Sequence, residues 1–322
     1  TKEGNWEHGK NILHINTTAL ALSKKYNTSI ETIYKVLKTS KAKLLAAREL
    51  RVKPGLDDKI LTSWNALMLK GYADAYRVFG EKRFKDAAVS NAKFLLRKAK
   101  NKDHRLTRNY KDGTSVINGF LDDYAYLANG FIALYQATFD EKWLFEAKEL
   151  QEYAITHFYD DKTGLFYYTS DLDPPLIARK KDISDNVMPS SNSVMAKNLE
   201  ILGSFFFDEF YLEKAKKAMM TVSDEVLNSE QPYYFTNWLS HYMMLAKPPF
   251  EVAIVGTNYD RMRLQLENYF LPDALLLGGS KEGSLLLLED KLIDGETIIY
   301  VCKDKMCKEP VSTVKEALQL MK

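Results

Sequence analysis

The sequence predicts a mainly α-helical chain: an (α/α) toroid of antiparallel helical hairpins over residues 1–248, closed by a small α/β element over 249–322. Three observations predict it. A helix–turn–helix unit repeats along the chain, the apolar residues inside each unit keep helical spacing, and the period changes to strand-like runs after Pro248.

The repeat is anchored on aromatic residues. Trp64-Asn65-Ala66-Leu67 leads to Phe79-Gly80-Glu81-Lys82, and Tyr124-Ala125-Tyr126-Leu127 leads to Phe139-Asp140-Glu141-Lys142. Asn192-Ser193-Val194 leads in the same way to Phe207-Asp208-Glu209. In each unit a helix ends at Phe, a short polar turn follows, and a second helix restarts. Leu67, Gly71, Ala75 and Val78 form one stripe of a 3.6-period helix. Short turns make the paired helices antiparallel, and such hairpins bury their apolar faces by stacking on copies of themselves. Between the units, segments 105–117 (with Asp112-Gly113) and 159–170 (with Asp160-Asp161-Lys162-Thr163-Gly164) read as β-hairpin loops.

Ahead of the repeat, Asn27-Thr28-Ser29-Ile30-Glu31 is a capping-box-like start to a long amphipathic helix reaching about Arg51, stopped by Pro54-Gly55. In the tail, 251–256, 274–277 and 297–302 read as strands, 259–270 as a helix, and Thr313 as the cap of a last helix. The tail is too small for a full nucleotide-binding fold and carries no GxGxxG.

Composition narrows the function classes. In 322 residues, 45 Lys+Arg against 43 Asp+Glu leave a formal charge of +2 with the signs interspersed, so no clustered basic face for nucleic acid is expected. No apolar run has the length a bilayer span needs. The two cysteines, Cys302 and Cys307, are too few for a secreted disulfide framework. With four residues between them they form neither a CxxC nor half a zinc knuckle, and read as paired structural thiols. The five histidines show no metal spacing, and neither metal nor cofactor is expected. The chain begins without Met, in a polar stretch, and reads as a segment of something longer; its expected location is cytoplasmic.

Polar residues gather where the hairpins begin. Leu56-Asp57-Asp58-Lys59 precedes Thr62-Ser63-Trp64-Asn65, Gly119-Phe120-Leu121-Asp122-Asp123-Tyr124 opens the second hairpin, and a segment holding Asp182, Asp185 and Ser190-Ser191-Asn192-Ser193 opens the third. Helix N-capping accounts for one Asp per entry. It does not account for an adjacent pair followed by Trp, Tyr or Asn. In a ring, the inner-helix N-termini converge, and carboxylates meeting there would raise one another's pKa. Unequal acids beside aromatic platforms suit sugar chemistry. The candidate acid–base groups are therefore Asp58, Asp122, Asp123 and Asp185; Trp64, Asn65, Tyr124, Asn192, Trp238 and His241 are the candidate substrate contacts. The expected ligand is a small sugar-like molecule, with either turnover or binding alone as the outcome.

The motifs Leu56-Asp-Asp-Lys-Ile-Leu-Thr-Ser-Trp-Asn65, Gly119-Phe-Leu-Asp-Asp-Tyr124, Pro189-Ser-Ser-Asn-Ser193 and Tyr300-Val-Cys-Lys303 resemble the C-terminal part of the thioredoxin-domain-containing family that includes spermatogenesis-associated protein 20. The resemblance runs over nearly the whole chain. It implies a barrel similar to six-hairpin glycosidases and to the N-acylglucosamine 2-epimerases, incomplete at its start, with a thioredoxin-like domain as a further partner. It implies glycosidase-like or epimerase-like activity, or else a non-catalytic scaffold that receives substrate for that absent domain. The paired histidines expected of the epimerases have no clear match here.

Overall fold

The computed structural model describes residues 2–174 and 177–322. They form two compact units, Thr1–Asp58 and Lys59–Lys322. The first unit contains α1 (Ala19–Tyr26) and α2 (Ile30–Glu49). The hydroxyls of Thr18 and Ser29 accept from Ala21 N and Thr32 N, each supplying a first-turn N–H with the partner it lacks within its helix. Ser29 is the cap that the Asn27–Glu31 signal foretells.

The second unit begins with β1 (Ile60–Leu61), followed by the hairpin α3 (Thr62–Phe79) and α4 (Lys82–Lys98). Next come β2 (Asn109–Tyr110), the hairpin α5 (Leu121–Thr138) and α6 (Glu141–Phe158), and the short ribbon β3 (Tyr159–Asp160) and β4 (Leu165–Phe166). The third hairpin is α7 (Ser191–Phe206) and α8 (Glu209–Leu227), and α9 (Thr236–Ala246) closes the helical series. Helices α3 and α7 pack on opposite sides of α5, and α9 packs on α7 and α8, which is the arc of an (α/α) toroid. Helix α5 is its centre: 16 of its 18 residues are buried. At Gly130 an added Cβ would lie 3.1 Å from the Ala66 carbonyl oxygen, so the missing side chain lets α3 close on α5.

Each hairpin turns through one residue in the left-handed region followed by an N-cap. In the first, Phe79 is the last helical residue and Gly80 takes φ 67°. In the other two, the recurring Phe itself takes that place, Phe139 at φ 56° and Phe207 at φ 54°. The aligned Phe residues are therefore one position out of register between the first hairpin and the others. Asp140 and Asp208 then cap α6 and α8 by accepting from Lys142 N and Phe210 N. A Phe at positive φ is strained by about 1–2 kcal/mol. Phe139 offsets that by burying its ring against Tyr259 and Tyr135.

The loops between hairpins pair as short ribbons. At the tip of 105–117, Asp112 and Gly113 both take positive φ, and Lys111 and Thr114 exchange backbone hydrogen bonds of 2.9 Å. Ahead of the tip, β2 pairs with β1 rather than within its own loop, so it fastens the start of α3. The ribbon β3–β4 is the hairpin read from 159–170.

The tail forms a mixed sheet in the order β6-β5-β7-β8, from β5 (Phe250–Gly256), β6 (Ala274–Gly279), β7 (Thr297–Lys303) and β8 (Met306–Cys307). Helix α10 (Tyr259–Leu266) connects the parallel pair β5 and β6, and α11 (Val314–Leu320) carries the capping box of Thr313 and Glu316. Cys302 and Cys307 face each other across β7 and β8 and are joined as a disulfide. The sheet is tied to the helices by Gln136, whose Oε1 accepts from Leu276 N at 3.1 Å, and by an Arg77–Glu267 ion pair of 2.5 Å. Among the described residues no helix is long and apolar enough to cross a membrane.

Gly80 gives a clean test of the turn. A Cβ there would meet only Leu264 Cδ2 at 3.8 Å, an ordinary contact, so only the backbone opposes it. Gly80→Ala should destabilise the second unit by about 1 kcal/mol. Urea unfolding measures it, and an unchanged midpoint would refute the left-handed cap.

Candidate functional site

The four inner helices surround a cavity of about 740 Å³. Helix α3 contributes Leu67, Lys70, Asp74 and Arg77; α5 contributes Tyr126, Asn129, Ile132, Ala133 and Gln136. From α7 come Ser193, Val194, Lys197 and Ile201, and from α9 Asn237, Ser240, Met243 and Met244. Segments 247–249 and 271–275 complete the wall. The residues recur at helical spacing, so one stripe of each helix faces inward. Each stripe mixes apolar side chains with amides, hydroxyls and charges.

At the N-terminal end of α5 lies an acidic cluster. Asp123 is fully buried; its Oδ2 accepts from Phe120 N and its Oδ1 from Ser63 N, both at 2.9 Å. It thus caps its own helix and, across the chain, the first turn of α3. Asp122 is turned the other way and accepts from Arg108 Nη1 at 3.2 Å and from Tyr168 Oη at 3.2 Å. Arg108 Nη1 also lies 3.6 Å from Asp123 Oδ2, so one guanidinium serves both acids. Burial, and then the Asp122 charge, push the Asp123 carboxyl up to about 8, against the opposing pull of the two backbone N–H groups and Arg108. The Tyr168 hydroxyl is pushed up to about 12 by burial and the same Asp122 charge. Tyr126 connects this cluster with the cavity. It lies one turn beyond Asp122, lines the cavity wall and donates to the Pro189 carbonyl. Burial, followed by the charges of Asp122 and Asp182, raises its hydroxyl pKa.

The remaining sequence candidates are placed as follows. Asp185 is buried and wholly engaged: Oδ1 accepts from Ser190 N at 2.8 Å, and Oδ2 from Asn237 N at 3.0 Å and Thr236 Oγ1 at 3.1 Å. It fastens the start of α9. Asp58 lies in the N-terminal unit and is exposed, whereas every cavity residue comes from the second unit. Trp64 is 61% exposed on α3, and Asn65 donates to the Leu61 carbonyl. Tyr124 is core: it stacks on Tyr153 with centroids 5.1 Å apart and accepts from Leu106 N. Asn192 closes both backbone groups of Phe166, and Trp238 is buried with its Nε1 donating to the Ile183 carbonyl. His241 is buried on α9, its Nε2 4.0 Å from Glu200 Oε2. None of these side chains lines the cavity. Among the described residues no group of three or more His, Cys, Asp or Glu could hold a metal ion.

Lys70, Asn129, Lys197 and Asn237 are cavity residues that sequence reasoning passed over. Ser193, Lys197 and Ile201 are spaced by four, as are Lys70 and Asp74, but solvated helix faces show the same spacing, so it does not single them out.

The Asp123 assignment predicts a pH dependence. In the folded chain this carboxyl holds its proton to about pH 8, against an ordinary 3.8. Its share of stability is therefore present below about pH 4 and is lost as pH rises through 8. Asp122→Asn removes the charge that is the second cause of the shift, so the loss between pH 5 and 9 should shrink. Urea midpoints across that range decide it, and parallel profiles for the two proteins would refute the coupling.

No family model matches the chain. The mouse protein named spermatogenesis-associated protein 20 is 32% identical over 98% of this chain, and the human protein of that name 26% identical over 97%. The chain spans 42% of the length of each of these relatives. Among solved structures, a GH76 alpha-mannanase from Bacteroides thetaiotaomicron superposes with a TM-score of 0.49 at 14% identity, covering 66% of this chain and 59% of that one. By sequence, along nearly all of its length, this chain is a homologue of spermatogenesis-associated protein 20.

Proposed function

We propose that the second unit binds a small polyhydroxylated, sugar-like molecule in the cavity between α3, α5, α7 and α9. The observation that carries this reading is the lining itself. Tyr126, Asn129, Asn237 and Ser240 bring hydroxyl and amide groups to a cavity whose apolar walls include Leu67, Ile132, Val194 and Ile201. Amides and hydroxyls both donate and accept, as sugar hydroxyls do, and the apolar walls suit the C–H faces of a sugar ring. The volume of about 740 Å³ falls in the range of small-molecule sites.

Binding is favoured over turnover by the state of the acids. Asp123 and Asp185 spend their oxygens on backbone N–H groups, and the two carboxylates that line the cavity, Asp74 and Asp273, are each paired with a lysine, Lys70 and Lys247. One observation supports a second, epimerase-like or hydrolase-like reading. The Asp122–Asp123 pair shares one guanidinium, and its Asp123 member keeps a proton near neutral pH, as a proton donor must.

Thermal shifts against a panel of mono- and disaccharides test the binding reading, with wild type beside Asn237→Leu. A sugar at 100 times its Kd stabilises the fold by about 2.7 kcal/mol, a visible shift. The expected result is stabilisation by one sugar class, reduced in the variant. No shift with any sugar, in a protein that melts cooperatively, would sink the proposal.

A further inference from the structure

We propose that the ligand of this cavity carries an anionic group, a carboxylate or phosphate, and that Lys197 of α7 receives it together with Asn237 and Ser240 of α9. The inference rests on the reading of the cavity as a small-molecule site and adds the charge of its ligand. Four cations line the cavity: Lys70, Arg77, Lys197 and Lys247. Three already have a carboxylate. Lys70 meets Asp74 at 2.5 Å, Arg77 meets Glu267 at 2.5 Å, and Lys247 meets Asp273 at 2.7 Å.

Lys197 is different. Its Nζ reaches only the neutral Ser240 Oγ, at 3.1 Å, and among the described residues no carboxylate lies within ion-pair distance of it. Burial and then the like charge of Lys70 disfavour its protonated form, with Asp74 opposing them. A half-buried ammonium without a counter-charge is unfavourable, and an anion drawn against it restores the charged state. Neighbouring groups are suited to the same task. Asn237 and Ser240 stand three residues apart on one face of α9, and an amide N–H and a hydroxyl can both donate to an oxyanion. The apolar wall of α7 and α5 is left for the rest of the molecule.

Calorimetric titration of the intact chain with matched probes tests this: glucose, galactose and mannose, each beside its uronate and its 6-phosphate, and inorganic phosphate alone. The proteins are wild type, Lys197→Met, Lys197→Arg and, as a cavity control, Lys247→Met. An anionic member of one trio should bind about tenfold or more tighter than its neutral parent, as a charge-assisted hydrogen bond allows. Lys197→Met should abolish that preference, and Lys197→Arg should keep most of it. Whether uronate or phosphate gains tells which anion is meant. Equal affinity for neutral and anionic sugars would overturn the inference and leave the sugar site standing, as would a preference that survives in Lys197→Met but falls in Lys247→Met. Phosphate binding that depends on Lys197, with no sugar bound, would uphold the anion site and sink the sugar reading. No binding of any probe to the folded protein would overturn both.

Discussion

One buried carboxylate holds the helical arc in register. Asp123 accepts from the N–H of Phe120 at the start of its own helix and from that of Ser63 at the start of α3. Each helix begins with N–H groups that have no partner within the helix, and leaving one buried and unmet costs about 1–3 kcal/mol. Meeting both with one side chain sets α3 and α5 side by side at a fixed height. That height brings Lys70 and Tyr126, each a turn or two below the caps, to the same cavity. Burying two adjacent acids needs compensation, and Arg108 supplies it from the loop between the first two hairpins, closest to Asp122 and within reach of Asp123. The acidic cluster is in this sense a consequence of the joint between two hairpins.

The joint also explains why acidic residues come in twos. A carboxylate consumed by two N–H groups has little left for a ligand, whereas its neighbour is free to look elsewhere. Asp123 caps while Asp122 engages Arg108 and Tyr168. The third entry repeats the division with different spacing. Asp185 ties the start of α9 to the Ser190 turn, and Asp182 lies close enough to Asp122 and Asp185 that burial and then their charges raise its pKa. The second acid of the α5 pair is itself held by Arg108, while Lys197, whose Nζ reaches the neutral Ser240 hydroxyl, stands two turns beyond Ser190 along α7.

Much of the fold was legible because it is written in local chemistry. The recurring Phe–polar turns mark three hairpins, Ser29 and Thr313 announce helix starts, and Asp112-Gly113 announces a tight reversal. What stayed hidden is what depends on long-range geometry. The cap from Asp123 to Ser63 crosses 60 residues, so sequence could show an acidic pair but not which member was spent on backbone. Tyr124 and Trp238 looked like sugar platforms because an aromatic residue at a helix start carries no mark of facing the cavity or the core. Tyr124 points to Tyr153 and Leu106, and its neighbour Tyr126, two residues along, takes the cavity wall. The one-residue shift of the Phe anchor was equally invisible, since nothing local marks a Phe for the left-handed region, and at Phe139 ring burial helps offset the strain.

Lys197 shows the same limit from the other side. In sequence it is one lysine among many, on a helix whose neighbours at that spacing are Ser193 and Ile201. Lysines on helices are ordinarily solvated, and nothing local separates this one from Lys216 or Lys217. Its character comes from subtraction. Lys70, Arg77 and Lys247 all sit on the same cavity and each has its acid, two of them from a different part of the second unit. Only after those pairs are drawn does one lining cation remain, among the described residues, with a neutral hydroxyl rather than a carboxylate as its partner, and that contrast is visible in three dimensions alone.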